Sequence, residues 1–294
     1  MPDTTINEAA PLISVAMPFH DCELTLAAAI RSVLRQTCED WELLLCDDGS
    51  TDHSLAIARA FRDPRIVVWT DQHRRGLAGR LNQCIDRARG TYIARMDADD
   101  ITYPRRFEKQ LWFLQQRRDI DLVGCHMLVC GEDGAALAIR ELPCAHAEIV
   151  ANPGIGFGMA HPTWMGRASW FRRYRYSADA ARYEDIELLY RSYRESRFAN
   201  IPEVLHGYRE PRRGLRKRWK TRIGRVQFLR ESRAEWSHQA VLIEPVKAIC
   251  DALLVGAGLR YAMLKRRDTA PAAPQLAEWQ EINAGCTEQE VVAP

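Results

Sequence analysis

The sequence predicts an α/β protein built on a central, mostly parallel sheet flanked by helices. Short apolar runs of strand length alternate with segments whose apolar residues recur at helical spacing. This alternation repeats four times before residue 130, as chains of strand–helix–strand crossovers do. The apolar runs are continuous rather than alternating with polar residues, which marks strands covered on both faces.

The elements follow in order. Leu12 to Met17 (LISVAM) is a buried strand stopped by Pro18. Leu26, Ile30, Val33 and Leu34 then define a helix within Leu24 to Arg35. Trp41 to Cys46 (WELLLC) is the second strand and runs into DDGSTD. There Gly49 permits a tight turn, and Ser50, Thr51 or Asp52 can cap a helix from Ser54 to Phe61. Arg65 to Trp69 is a third strand, Ala78 to Arg89 a third helix and Tyr92 to Met96 a fourth strand. Pro104 opens a helix through Gln116, and Asp121 to Cys130 is a further strand.

Hydrophobic residues make up 47% of the 294 residues and charged residues 27%, the balance of a globular protein with a substantial core. The start, MPDTTINEAAP, lacks the basic and apolar regions of a signal peptide. Nine cysteines without a C-x-x-C read as small buried hydrophobes in a reducing cytoplasm. Cys125 and Cys130, with His126 beside the first, fall along one strand rather than in a zinc-site pattern.

In open sheets of this kind, ligands bind beyond the carboxyl ends of the strands. Three such ends carry polar or Pro-marked punctuation: Pro18-Phe19-His20, Asp47-Asp48-Gly49 and Asp97-Ala98-Asp99. Turn chemistry explains one of them; three converging on one sheet edge indicate a site. The stretch YIARMDADD drives a buried strand into Asp97, Asp99 and Asp100, whose like charges repel. No G-x-G-x-x-G, G-x-x-x-x-G-K-[ST] or G-x-S-x-G accompanies them. Carboxylates at strand ends are instead the chemistry of a hard divalent cation, Mg²⁺ or Mn²⁺, shared with a substrate diphosphate.

On these residues the chain resembles the family-2 glycosyltransferases, inverting nucleotide-sugar enzymes of the Rossmann-like GT-A fold. SVAMPFHD looks like the family's first strand and donor loop, and SVLRQTCEDWELLLCDDGSTD like its helix, second strand and base-binding turn. GLAGRLNQCIDRARGTYIARMDADDITYPRRFEKQLWFL is similar to its metal-binding block, and HPTWMGR and YEDIELLYR to its acceptor-side segments. The resemblance covers roughly Leu12 to Arg209.

The resemblance implies roles. Pro18, Phe19 and His20 line the nucleotide pocket, and Asp48 accepts a hydrogen bond from the base, typically uracil. Asp97, Ala98 and Asp99 form the D-x-D motif, with Asp99 the direct ligand of the divalent cation and Asp97 nearer the ribose. Asp185 is the general base, with Glu184 beside it. Second readings stay open: Asp47 and Asp100 as turn or capping residues, and His161 as a hydrogen-bonded core histidine. Arg80 is either solvated or in reach of a phosphate. Relatives carry Y-R-x-H after the last sheet strand, whereas this chain has Tyr208-Arg209-Glu210-Pro211; His206 is a substitute metal ligand or a structural residue.

The expected organisation is a catalytic domain over residues 11–210, its nucleotide-sugar half about 11–100 and its acceptor half about 101–210. A basic, amphipathic helical extension over 211–267 and a flexible tail over 268–294 follow. Arg209 to Arg233 contains eleven Lys or Arg against two acids, Glu210 and Glu231. Trp219, Ile223, Val226 and Leu229 give Arg216 to Trp236 an apolar stripe, so that helix either lies on an anionic membrane surface or packs on the domain. Val241 to Leu264 is too interrupted by charge to span a membrane. The expected location is cytoplasmic, peripheral to the inner face of the membrane if the basic helix binds it. Donor and acceptor are then a nucleoside diphosphate sugar and a glycan or lipid-linked glycan, with no nucleic acid. Two rival classes fit less of the chain. A sugar nucleotidyltransferase needs a Gly-rich basic loop that MPFHDCE lacks, and a nucleic-acid-binding protein rests on the Arg-rich segment alone.

Overall fold

The structure, a computed structural model, describes residues 10–153, 156–180, 183–210 and 268–287. The expected helical extension over 211–267, with its basic amphipathic helix, lies outside the described residues.

Strands β1 (Ile13–Phe19), β2 (Trp41–Asp47), β3 (Ile66–Thr70) and β4 (Tyr92–Arg95) alternate with helices α1 (Leu26–Leu34), α2 (Ser54–Ala60) and α3 (Gly76–Arg87). All pairs within the order β3-β2-β1-β4 are parallel. Side chains on these strands alternate between two cores, as the two-residue period of a strand requires. Ile13, Val15, Met17, Leu43 and Leu45 pack with α1 on one face, whereas Ala16, Leu44 and Cys46 pack with α3 on the other. Gly49 lies at φ +72°, the left-handed conformation that the turn after β2 demands.

The second half mixes directions. It comprises β5 (Ile101–Thr102), α4 (Arg106–Gln116), β6 (Leu122–Cys130), β7 (Ala136–Arg140) and α5 (His146–Ile149). A 3₁₀ turn (His161–Thr163), β8 (Met165–Arg167), α6 (Ala168–Arg173), α7 (Glu184–Ser192) and β9 (Phe198–Arg209) follow. The sheet continues from β4 through β8, β6 and β9 to β5, with β7 on β6. β8 is antiparallel to both β4 and β6, while β6 and β9 are parallel. The predicted mostly parallel sheet with flanking helices is therefore present, and the antiparallel additions are the short strands β5, β7 and β8.

One expectation is overturned. Residues 268–294 do not start as a flexible tail: Asp268 pairs with Arg140 (2.9 Å), Thr269 bridges Ile139, and Ala273–Thr287 is a helix, α8. Its anchor is Trp279, 1% exposed, which stacks on Tyr103 at 6.2 Å and donates Nε1–H to the Gly134 carbonyl (2.9 Å). Gly207 makes the seat, since a Cβ there would stand 2.2 Å from the indole ring. Burial of this aromatic outweighs the weak intrinsic preference of an Ala- and Pro-rich segment.

Trp279→Ala should therefore cost about 3–5 kcal/mol of stability, the range for emptying a buried aromatic site. Urea unfolding measures it; a loss below about 1 kcal/mol, the size of an ordinary surface change, would show that α8 is not docked.

Candidate functional site

The chain leaves β1 for β2 and β3 on one side and returns to β4 on the other. A sheet that reverses its order in this way opens a crevice beyond the carboxyl ends of the two central strands. A cleft of about 810 Å³ lies there, with Pro18, Phe19, His20, Asp97, Ala98 and Asp99 all in its wall. The structure thus brings together six predicted residues from two strand ends 77 positions apart in sequence, counting from His20 to Asp97.

Asp97, Asp99 and Asp100 offer carboxylate oxygens that all lie within 4.8 Å of one another. Asp97 is held by Arg95, the last residue of β4, whose Nη1 and Nη2 donate to its two oxygens at 2.7 and 2.5 Å. Asp100 is fully buried; it accepts from His206 Nε2 and from the Arg209 backbone N–H, each at 2.8 Å. Arg106 donates to His206 Nδ1 (3.2 Å), so the imidazole proton sits on Nε2, facing Asp100. Burial, with Arg106 alongside, pushes His206 well below its usual range and keeps it neutral. Burial and Asp97 push Asp100 upward.

Asp99 takes no ion pair from another described residue. Its crowded surroundings, then Asp100 and Asp97, push its carboxyl up to about 8. A divalent cation fits this donor set: hard carboxylate oxygens, converging, with negative charge that the protein leaves uncompensated. Arg209 closes the far wall, its Nε donating to the Asp99 carbonyl (2.9 Å) and Nη1 to those of Gly131 and Glu132.

Other predicted residues lie elsewhere. Asp48 is not in the cleft wall. Its carboxylate accepts from the backbone N–H of Arg75 (2.7 Å) and Gly76 (3.1 Å) and from Arg80 Nε (2.9 Å), so it holds the loop before α3. Arg80 is not solvated. It is 0% exposed and pairs with Asp48 and Asp71, because two carboxylates compensate its buried charge. His206 does not join the metal-ligand group, because both its nitrogens are engaged. Asp47 is a turn residue, bound to Ser50 N–H (3.0 Å) and the Thr70 hydroxyl (2.8 Å). His161 is a core histidine bonded to Tyr176 Oη (2.8 Å).

Glu184 and Asp185 open α7, outside the cleft wall. Glu184 is buried and Asp185 half-buried. Burial raises the Tyr176 hydroxyl, and Asp185, Glu184 and Asp97 add to the rise while Arg95 opposes it. Tyr176 therefore lies within electrostatic reach of both the D-x-D acids and the start of α7.

Sequence reasoning missed Arg95 and Arg209. A charged residue inside a strand that is otherwise apolar was the available signal for Arg95. Asn283 and Thr287 of α8 also line the cleft. Among the described residues no helix is long and apolar enough to cross a membrane.

The sequence profile of Glycosyl transferase family 2 matches residues 14–175. "Putative glycosyltransferase EpsE" of Bacillus subtilis (strain 168) is 41% identical over 220 residues, 71% of this chain and 77% of the relative. An Escherichia coli relative, the UDP-Glc:alpha-D-GlcNAc-diphosphoundecaprenol beta-1,3-glucosyltransferase WfgD, is 32% identical over 145 residues, 49% of this chain and 57% of its own length. Among solved structures, a mannosyltransferase of Pyrobaculum calidifontis in complex with GDP-Man and Mn²⁺ aligns over 95% of this chain and 86% of that one. Its TM-score is 0.58, and at 15% identity the likeness shows a shared fold.

The shift at Asp99 has a consequence for stability. An unfolded aspartate ionises near 3.9, whereas the cation-free folded protein holds the Asp99 proton to about 8. Between those values the folded state binds more protons than the unfolded one, so this residue's contribution to stability falls as pH rises. Asp99→Asn should accordingly raise the melting temperature of chelator-treated protein at pH 8, with the gain fading towards pH 4. A variant that melts lower than wild type at pH 8 would contradict the charge balance described here.

Proposed function

The chain belongs to glycosyl transferase family 2 and is a glycosyltransferase; from that premise we propose that it moves a sugar, with inversion, from a uridine diphosphate sugar to a hydroxyl of a glycan or lipid-linked glycan. The observation that carries this reading is the acid cluster at the end of β4, facing the β1 loop across one cleft, with Asp185 outside that cleft at the start of α7. The E. coli relative, whose name states a UDP-glucose donor and a lipid-linked acceptor, supports the donor base and the acceptor class. A lipid-linked acceptor also gives a peripheral membrane location its reason.

Pro18 to His20 and Asp97 to Asp99 bind the donor between two strand ends. Asp99 and Asp97 are the residues that hold the divalent cation, Mn²⁺ or Mg²⁺; the P. calidifontis complex contains Mn²⁺. When bound, such an ion supplies Lewis-acid neutralisation of the departing diphosphate. Arg95 aims Asp97 through two hydrogen bonds that also restrain its rotation.

Asp185 takes the proton of the acceptor hydroxyl as its oxygen bonds to the anomeric carbon and the bond from that carbon to the diphosphate breaks. Half-exposed on the first turn of a helix, it meets solvent and acceptor, whereas the Glu184 side chain is turned into the protein. Buried Leu188 and Leu189 fix that helix start against the core. No covalent intermediate is needed.

Asp185→Asn keeps size and removes basicity. It should lower transfer to acceptor by about 10²-fold or more, the scale of a lost general base, while leaving donor affinity in Mn²⁺ nearly unchanged. Glu184→Gln should cost less. Normal turnover by both variants would remove this helix from the chemistry.

A further inference from the structure

The geometry points to α8 as part of the donor site, with Asn283 recognising a hydroxyl of one of the donor's sugar rings. This rests on the proposed transferase reading and extends it to a segment beyond residues 14–175, which the family profile matches. Asn283 and Thr287 stand in the same cleft wall as Asp97 and Asp99. The helix that carries them is fixed from three directions. Trp279 is seated against Gly207 and Tyr103. Arg31 of α1 donates to the Cys286 carbonyl (3.1 Å), and Asp268 is paired with Arg140 just before the helix. Rigid elements hold a recognition group better than loops do.

The Asn283 side chain has a specific vacancy. Its Oδ1 is buried and has no hydrogen-bond partner among the described residues. A buried amide oxygen left unpaired is costly, and a ligand O–H would satisfy it. The amide packs over Gly134, which lies at φ +81°; a Cβ at that glycine would stand 2.9 Å from Asn283 Nδ2. The glycine thus gives the amide its place beside Glu132 and Asp133, which line the same cleft. Trp279 Nε1–H, on the Gly134 carbonyl, ties this loop to the helix. Acids surround the position, so a neutral hydroxyl suits it and a phosphate oxygen does not. Nucleoside diphosphate sugars carry hydroxyls on both the ribose and the transferred sugar, one on each side of the diphosphate that Asp99 faces.

The test uses full-length protein with Mn²⁺ and compares wild type with Asn283→Ala and Asn283→Asp. Probes are UDP, UDP-glucose, UDP-N-acetylglucosamine and GDP-mannose, in calorimetric binding and initial-rate assays. One hydrogen bond lost to a ligand corresponds to about three- to tenfold weaker binding. Asn283→Ala should weaken the nucleotide sugar that wild type uses by this factor and raise its KM, with melting temperature held. Asn283→Asp retains an acceptor oxygen, and its added charge among the acids should weaken the diphosphate further. Equal weakening of UDP and the UDP-sugar places the hydroxyl on the ribose; weakening of the UDP-sugar alone places it on the transferred sugar. Unchanged binding and KM in a folded Asn283→Ala protein would overturn the role of α8 while the transferase reading stands. Failure of wild type to bind any probe would overturn both.

Discussion

Three carboxylates converge at the end of one buried strand, and the rest of the site is arranged around the repulsion among them. At neutral pH such a cluster is unstable in a protein interior unless each charge is compensated or protonated. The fold compensates two. Arg95 grips Asp97, and Asp100 receives the neutral His206 and a backbone N–H. The compensating groups come from β4, α4 and β9, so the sheet's two halves are joined through the charge balance as well as through strand pairing. Among the described residues Asp99 has no ion pair, and burial, with Asp100 and Asp97 beside it, raises its proton affinity. On the proposed reading a cation and a diphosphate would complete the arrangement.

On the proposed reading the two chemical tasks are separated in space. Donor-side groups lie in the cleft between the β1 and β4 ends, lined in part by α8 and the Glu132–Gly134 loop. The carboxylates of α7 lie outside that cleft, reached electrostatically through the buried Tyr176 region. Buried His161 is bonded to Tyr176 and packed edge-on to Trp164 at 4.6 Å.

The first four strands and their helices were legible because strands buried on both faces are continuous apolar runs of unmistakable length. The D-x-D cluster was legible because nothing structural explains acids at such a point. The pairing of Asp48 with Arg80 was not legible: sequence shows two charged residues of opposite sign but not that they meet, 2.9 Å apart and buried. His206 reads as a ligand in sequence because its partners, Arg106 and Asp100, are about a hundred residues away. Strands β5 and β8 are 2 and 3 residues long, too short for periodicity to register. Helix α8 had a usable signal in Leu276, Trp279, Ile282 and Cys286 at helical spacing, masked by the Ala-Pro run before it.

On the proposed reading Asp99 is left for a cation that a nucleoside diphosphate shares. Calorimetric titration of UDP into the protein, with Mn²⁺ and again with excess chelator, tests it most directly. Binding should be at least tenfold tighter with Mn²⁺, about 1.4 kcal/mol, and should release protons near pH 7 in wild type beyond those released with Asp99→Asn. Equal UDP affinity in chelator and in Mn²⁺, with no proton released, would contradict it.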